Sequence, residues 1–200
     1  MGDCKEKEKE AANPGLDMKI EEMLISQRRI FLSAAVDEKS AKEVITRAWY
    51  LNHVDQSKPI LLVINSPGGS VDSGFAIWDQ LKMLGCPIYS LVTGLAASMG
   101  SILMLLGDKG NRYISAHSRV MIHQPLIGGY IQGQATDLEI QAREIIKTKE
   151  RLIKIYEQET GQTKAKIAEC LDRDMWMTAA EAKAFGICDH IVSSYKDIKM

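Results

Sequence analysis

Apolar positions along this chain fall into short runs separated by polar turns, and the spacing within each run assigns its element. After a turn at Asn13-Pro14-Gly15, a helical spacing through Ile20, Met23 and Leu24 leads into a short strand, Arg29 to Leu32. Asp37 to Leu51 carries Ala41, Val44, Ile45, Ala48 and Trp49 at helical spacing, whereas Pro59 to Ile64 is a continuous apolar run of strand length. The alternation repeats with a helix from Val71 to Leu84 stopped by Gly85, a strand from Ile88 to Val92, and an apolar stretch from Leu95 to Leu106 that predicts a buried helix opening at Ser98. Short strands follow at Arg112 to Ser115 and Arg119 to Ile122. Thr136-Asp137-Leu138-Glu139 reads as a capping box for a helix of about 23 residues, about 34 Å long at 1.5 Å per residue, ended by Gly161. Its stripe runs Leu138, Ala142, Ile145, Lys149, Leu152, Tyr156, and such a rod can outreach its own domain. A short helix through Ile167 to Leu171, a helix Ala179 to Phe185 capped by Thr178 with Glu181, and a strand near His190 to Val192 complete the pattern. Strand and helix in alternation predict an α/β fold with a largely parallel sheet.

Composition narrows the function. The 200 residues are 46% hydrophobic, enough for one core, so residues 16–200 are expected to form a single domain behind a charged tail, 1–15. A formal net charge of -1 supplies no positive field for a phosphate backbone, which argues against nucleic acid as a partner. The longest apolar stretch is shorter than the roughly 18 to 20 residues that span a bilayer, so no membrane partner is expected. Met1 to Glu10 alternates Lys and Glu where a secretory signal needs an apolar stretch, and Glu6 stands where a myristoylation motif at Gly2 wants Ser or Thr. Cys4, Cys86, Cys170 and Cys188 form no CxxC pair, and no HExxH occurs; reduced thiols in a cytoplasmic protein without a metal are expected. A dinucleotide fingerprint and a phosphate-binding loop with GK[ST] are absent from the sequence, so no cofactor is expected.

Three segments surround a potential reacting group with small or turn-forming residues: Asn65 to Ser70, Gly94 to Gly100, and Met121 to Pro125. Ser98 would sit on a strand-to-helix turn, either as an ordinary helix N-cap or as a nucleophile at the positive end of the helix dipole. His123 closes an apolar strand before Gln124-Pro125 forces the chain out of regular structure. It is a candidate general base or a core histidine. His53 and His117 read as loop residues, and His190 flanks the last strand. Asp174, before the bulky Met175-Trp176 pair that is able to bury it, is the candidate acid to orient the imidazole, with a surface salt bridge as the alternative. Pro67-Gly68-Gly69 exposes backbone N–H groups, and Gly69 together with Met99 would supply two donors to an oxyanion.

INSPGGSV, GLAASMGS, RVMIHQPL, GQATD with its following helix, and DRDMWMTAAEA resemble, in order and spacing over residues 28–193, the proteolytic subunit family of the Clp protease, ClpP. The resemblance implies a crotonase-like fold of repeated ββα units, with a handle at 124–161 that interdigitates between rings. It implies a serine endopeptidase of two stacked heptameric rings, of one kind of chain or mixed, degrading unfolded polypeptides to short peptides. The partner would be an AAA+ Clp ATPase such as ClpX, ClpA or ClpC, which alone consumes ATP. Position by position, Ser98 matches the family nucleophile, His123 its base, Asp174 its orienting acid, Gly69 and Met99 its oxyanion donors, and Asp172 and Arg173 its ring–ring contact. Three departures stand out. GLDMKIEEMLISQRR replaces the family's usual gate segment, PLIGGYIQGQ is two residues longer than the common handle form, and Leu61 and Val63 occupy positions where tyrosines usually dock the ATPase. A ring that needs a second, more typical family member to engage the ATPase is the expectation they carry. A subunit inactive when alone, and a crotonase-like acyl-CoA hydratase or isomerase, are the other readings at this level.

Overall fold

The computed structural model describes residues 14–126 and 133–200. The tail Met1 to Glu10, with Gly2 and Cys4, and handle residues 127–132 lie outside the described residues.

Helix α1 (Pro14–Ser26) turns into β1 (Arg29–Leu32). Pro14 and Gly15, expected in a turn, open this helix instead; the fixed φ of proline and its missing N–H suit a first helical position. Between the two elements Arg28 takes a positive φ of 57°, and its guanidinium donates to the carbonyls of Pro59, Leu51, Asp55 and Lys58 at 2.9 to 3.0 Å. Those carbonyls belong to the end of α2 (Glu38–Val54) and its exit into β2 (Ile60–Ser66), so one side chain fastens three elements. The start of α2 is held by a capping box in which Asp37 accepts from the Ser40 N–H and Ser40 Oγ accepts from the Asp37 N–H. His53 lies in the last turn of α2, not in a loop, because the helix continues past Leu51 to Val54.

The chain continues through α3 (Val71–Lys82), β3 (Ile88–Ala97), α4 (Met99–Met104), β4 (Arg112–Ser115) and β5 (Arg119–Ile122). Further along come α5 (Ala135–Thr160), α6 (Lys164–Leu171), β6 (Met175–Thr178), α7 (Ala179–Phe185), β7 (His190–Val192) and a 3₁₀ turn at Tyr195–Asp197. The sheet has the expected α/β character. Strands β1-β2-β3-β4-β7 lie side by side, all pairs parallel, β5 adds parallel to β3, and among the described residues only β6 runs antiparallel, against β5.

Successive residues of β2 point to opposite faces. Ile60, Leu62 and Ile64 enter the main core, while Leu61 and Val63 join a second cluster with Leu91, Tyr113, Val192 and Ile198. Both faces are covered, which is why β2 reads as an unbroken apolar run. Leu61 and Val63 are thus buried, and the aromatic residues of this cluster are Tyr89 and Tyr113, with ring centroids 6.3 Å apart.

β3 departs from expectation and prepares the site. It runs to Ala97 rather than Val92, so Leu95 to Ala97 belong to a strand and α4 keeps only six residues of the apolar stretch. At Gly94, with φ of 90°, the strand changes partner: Ser90 to Val92 pair with β4, and Leu95 to Ala97 pair with β5. A side chain on Gly94 would meet the Asn65 Oδ1, which accepts from the Leu95 N–H at 3.2 Å.

α5 spans 26 residues, about 39 Å, and ends at Gly161 in the left-handed conformation. It starts at Ala135 with Gln134 at the N-cap and no side-chain bond there, so the Thr136 capping box does not form. Leu152, Ile153 and Tyr156 are its buried residues, whereas Leu138, Ile140 and Ile146 in its first half are exposed. No helix among the described residues is long and apolar enough to cross a membrane.

Candidate active site

Ser98, His123 and Asp174 come together because three neighbouring strands end side by side. β3 pairs with β5 so that Ala97 lies opposite Met121, and the Ser98 N–H donates to the Met121 carbonyl at 2.8 Å. β5 pairs with β6 so that Ile122 lies opposite Met175. One step further along, His123 faces Asp174, and Ser98 faces the strand end that carries the imidazole. Sheet register alone therefore gathers three residues far apart in sequence.

Ser98 stands between β3 and α4 with φ of 52° and ψ of -122°, a conformation that costs a non-glycine residue roughly 1 to 3 kcal/mol. Its side chain makes no capping bond to α4. The hydroxyl instead lies 2.8 Å from His123 Nε2. The side chain is thus engaged with the imidazole and does not cap the helix. His123 Nδ1 lies 3.3 Å from Asp174 Oδ1. With the ring proton on Nδ1, facing the carboxylate, Nε2 accepts from Ser98. An imidazole placed this way can take the hydroxyl proton while the carboxylate steadies the resulting cation.

The imidazole is largely covered, with its side chain 14% exposed, but the Asp174 side chain is 61% exposed. Met175 and Trp176, the apolar pair able to bury an acid here, do not bury Asp174. Among the described residues β6 pairs only with β5, which leaves its start open at the sheet margin, and Trp176 is itself exposed beneath the Arg119 guanidinium, 4.6 Å from the ring centroid.

After β2, Pro67-Gly68-Gly69 passes against the Ser98 turn. A Cβ on Gly68 would stand 2.6 Å from the Ala97 carbonyl and 2.7 Å from Ser98 Cβ, and one on Gly69 would collide with the Val36 carbonyl. Both glycines have positive φ, 88° and 148°. Val36 donates to the Gly68 carbonyl and accepts from the Ser70 N–H, which turns the Gly69 N–H to the opposite side. Met99 opens α4, so its N–H has no partner in the preceding turn of helix. Gly69, Ser98, Met99 and His123 line one cleft of about 280 Å³, whose remaining wall is mostly apolar, with Val71, Ile102, Met121, Leu126 and Leu152.

Asp172 and Arg173 lie beside this cleft, in an adjoining hollow of about 380 Å³ shared with His123, Gln124 and Asp174. Gln124 is a residue that the sequence did not single out. Its N–H donates to the Leu171 carbonyl at 2.8 Å, its Nε2 donates to the Asp172 carbonyl at 3.2 Å, and its Oε1 accepts from Lys149 Nζ at 3.0 Å. It thereby ties the histidine strand to α6 and to α5. A long polar side chain directly behind the histidine was the available signal. Tyr156, read only as part of an apolar stripe, reaches the same cleft from α5. Cys86, Cys170 and Cys188 are buried free thiols, and burial pushes the Cys188 thiol up to about 11. Among the described residues, no group of three or more His, Cys, Asp or Glu side chains comes together to hold a metal ion.

The Clp protease family model matches residues 13–195. The ATP-dependent Clp protease proteolytic subunit 1 of Protochlamydia amoebophila is 56% identical over 194 residues, 97% of this chain and 94% of that protein. The subunit of the same name from Chlamydia pneumoniae is 58% identical over 179 residues, 90% and 94% of the two chains. The ATP-dependent Clp protease proteolytic subunit of Bdellovibrio bacteriovorus is 45% identical over 174 residues, 86% and 82%. A serine hydroxyl, an imidazole and a carboxylate aligned on three strand ends, within a chain matched along most of its length, make it a serine-type endopeptidase that belongs to the Clp protease family.

Proposed function

We propose that Ser98 is the nucleophile, His123 the general base and Asp174 the acid that orients and stabilises the imidazole, with the N–H groups of Gly69 and Met99 as the oxyanion hole. In the first half-reaction the Ser98 hydroxyl gives its proton to His123 Nε2, and Oγ bonds to the peptide carbonyl carbon. The oxygen that becomes negative is met by the two N–H groups, each commonly worth about 3 kcal/mol in the transition state. The C–N bond then breaks as Nε2 returns the proton to the leaving amine, leaving an acyl ester on Ser98. In the second, water gives a proton to His123 and attacks the ester, and Ser98 recovers its hydroxyl. No cofactor enters either step.

The substrate of this reading is unfolded polypeptide, cut to short peptides inside a chamber of two heptameric rings, of one kind of chain or mixed, in the cytoplasm. The exposed first half of α5, with Leu138, Ile140 and Ile146, supports a handle that inserts between rings. Asp172 and Arg173, beside the triad, are the residues through which the opposite ring would be felt. An AAA+ Clp ATPase such as ClpX, ClpA or ClpC would deliver substrate and spend the ATP, in keeping with relatives named as ATP-dependent Clp protease subunits.

The observation that carries the catalytic assignment is the 2.8 Å approach of Ser98 Oγ to His123 Nε2 by a serine that does not cap its helix. Intact-mass spectrometry after treatment with a fluorophosphonate tests it. One adduct per chain, absent from Ser98→Ala, is expected; an adduct that survives Ser98→Ala would refute the assignment.

A further inference from the structure

We infer that Tyr156 and Ser101 form a positioning relay that fixes the peptide between Ser98 and Met99 and so aims the Met99 N–H into the cleft. The inference rests on the assignment of Ser98 and Met99 made above.

Ser98 holds a sparsely populated backbone conformation, and such conformations persist only where surrounding contacts over-determine them. On its N-terminal side the Ser98 N–H is tied to the Met121 carbonyl at 2.8 Å. On the other side its carbonyl accepts twice from one residue, from the Ser101 N–H at 3.0 Å and from Ser101 Oγ at 2.6 Å. The first of these bonds is the ordinary start of a helical turn. The second comes from a side chain.

Ser101 Oγ also lies 2.6 Å from the Tyr156 hydroxyl. Serine carries a single hydroxyl hydrogen, and the Ser98 carbonyl can only accept, so that hydrogen is committed to the carbonyl. The Tyr156 hydroxyl is therefore the donor to Ser101, and the chain of donation runs Tyr156 to Ser101 to Ser98. Tyr156 is 1% exposed, and its burial pushes the phenol up, so that it keeps its proton throughout the working pH range. Aligned hydrogen bonds of this kind polarise one another in a buried setting.

The carbonyl matters because of what shares its plane. In a planar trans peptide the C=O and the N–H point in opposite directions. Holding the Ser98 carbonyl on the Ser101 side directs the Met99 N–H to the other side, where Gly69 and His123 line the cleft. Drawing electrons toward a doubly bonded carbonyl also makes the N–H of that peptide a stronger donor. Tyr156 comes from α5, the helix whose other end is exposed, so the relay joins the handle to the oxyanion site through two hydroxyls.

The test uses the assembled full chain as Ser101→Ala, Tyr156→Phe and the double variant. Read out are kcat and KM on a short fluorogenic peptide and the rate of Ser98 modification by diisopropyl fluorophosphate. For Ser101→Ala, kcat and the modification rate are expected to fall about tenfold, well short of the 10²- to 10³-fold cost of losing an oxyanion donor outright. For Tyr156→Phe a fall of about three- to fivefold is expected, with KM within about twofold in both, since the interaction is made in the transition state. The double variant should be no slower than Ser101→Ala, because the tyrosine then has no acceptor; losses that multiply would indicate two independent packing defects and overturn the relay. Unchanged kcat in both single variants, or a change confined to KM, would overturn it too. Should Ser101→Ala fail to assemble, Tyr156→Phe decides alone, as it removes one oxygen and keeps the ring. A wild-type chain that takes no label at Ser98 would bring down the catalytic assignment and the relay with it, whereas labelled wild type beside unaffected variants would bring down the relay only.

Discussion

Two aspartates, Asp189 and Asp174, each face a basic side chain across neighbouring strands, and they are held in opposite ways. Asp189 is saturated. Its Oδ2 accepts from the Gly110 N–H at 2.9 Å, the Arg112 N–H at 2.9 Å and Arg112 Nε at 3.0 Å, and its Oδ1 accepts from Arg112 Nη2 at 2.7 Å. Arg112 in turn donates Nη1 to the Glu159 carbonyl at 3.0 Å, which fastens the end of α5 to β4 and the segment before β7. The two side chains are 5% and 18% exposed. Among the described residues Asp174 has one such partner, His123 at 3.3 Å, and its side chain is 61% exposed. The first carboxylate has every oxygen committed and locks elements together. The second is open to water and has lone pairs to spare, as suits the role proposed for it beside an imidazole that would gain and lose a proton.

The comparison is broken most directly at Asp174. Asp174→Asn keeps the size of the side chain and removes its charge, so the imidazolium formed during attack loses its counter-ion and the ring can settle in the wrong tautomer. A buried triad aspartate treated this way costs about 10⁴ in kcat. Water around Asp174 takes over part of its role, so a fall of about 10² to 10³ in kcat is expected, while the urea midpoint of unfolding moves little. A loss below about fivefold, read on the short fluorogenic peptide, would mean that solvent does this job without the carboxylate.

Arg112→Ala should do the reverse. It leaves Asp189 partly buried without its bidentate partner and frees the Glu159 carbonyl, for an expected loss of about 2 to 3 kcal/mol of stability, seen as a lower urea midpoint. Under conditions where the chain remains folded, kcat on the same peptide should stay within about twofold of wild type. Stability unchanged by this variant would erase the contrast between the two aspartates. Arg28→Ala offers a parallel case, since its guanidinium serves four carbonyls around the end of α2, and it too should lower stability while sparing the chemistry of the cleft.

The difference between the two aspartates also explains what could be read from the sequence. Strands β4, β5 and β7 fall where their apolar residues and flanking turns put them, and Ser98, His123 and Asp174, each legible as a candidate reactive residue, come together in the fold. The strand expected to end at Val92 continues to Ala97, because Gly94, with its positive φ, lets β3 change partners there. A short apolar run does not distinguish strand from buried helix, so Leu95 to Leu106 looked like one element and is two. The exposure of Asp174 depends on β6 being a marginal strand, a property of topology rather than of Met175 and Trp176. The clamps of Arg112 and Arg28 and the Tyr156–Ser101 pair bring residues together over long sequence separations, and no local pattern announces such contacts.

The mildest way to sharpen the contrast is titration. Burial works to raise the pKa of Asp189, but the hydrogen bonds and charge of Arg112, with the Gly110 N–H, outweigh it and hold the carboxyl below its ordinary value. In the unfolded chain the same group titrates near 3.9. Between the two values the unfolded state binds a proton that the folded state does not, so stability rises with pH across that interval. The contribution of Asp189 is therefore complete above about pH 4 and is lost as the pH falls through its depressed folded value. Asp189→Asn has no such dependence at this site. The gap in thermal midpoint between wild type and Asp189→Asn should be constant from pH 7 to about 5, narrow below about pH 4, and close in stronger acid. A gap of constant width down to pH 3 would mean that the carboxylate charge adds nothing to the clamp, and that its neutral hydrogen bonds alone distinguish it from Asp174.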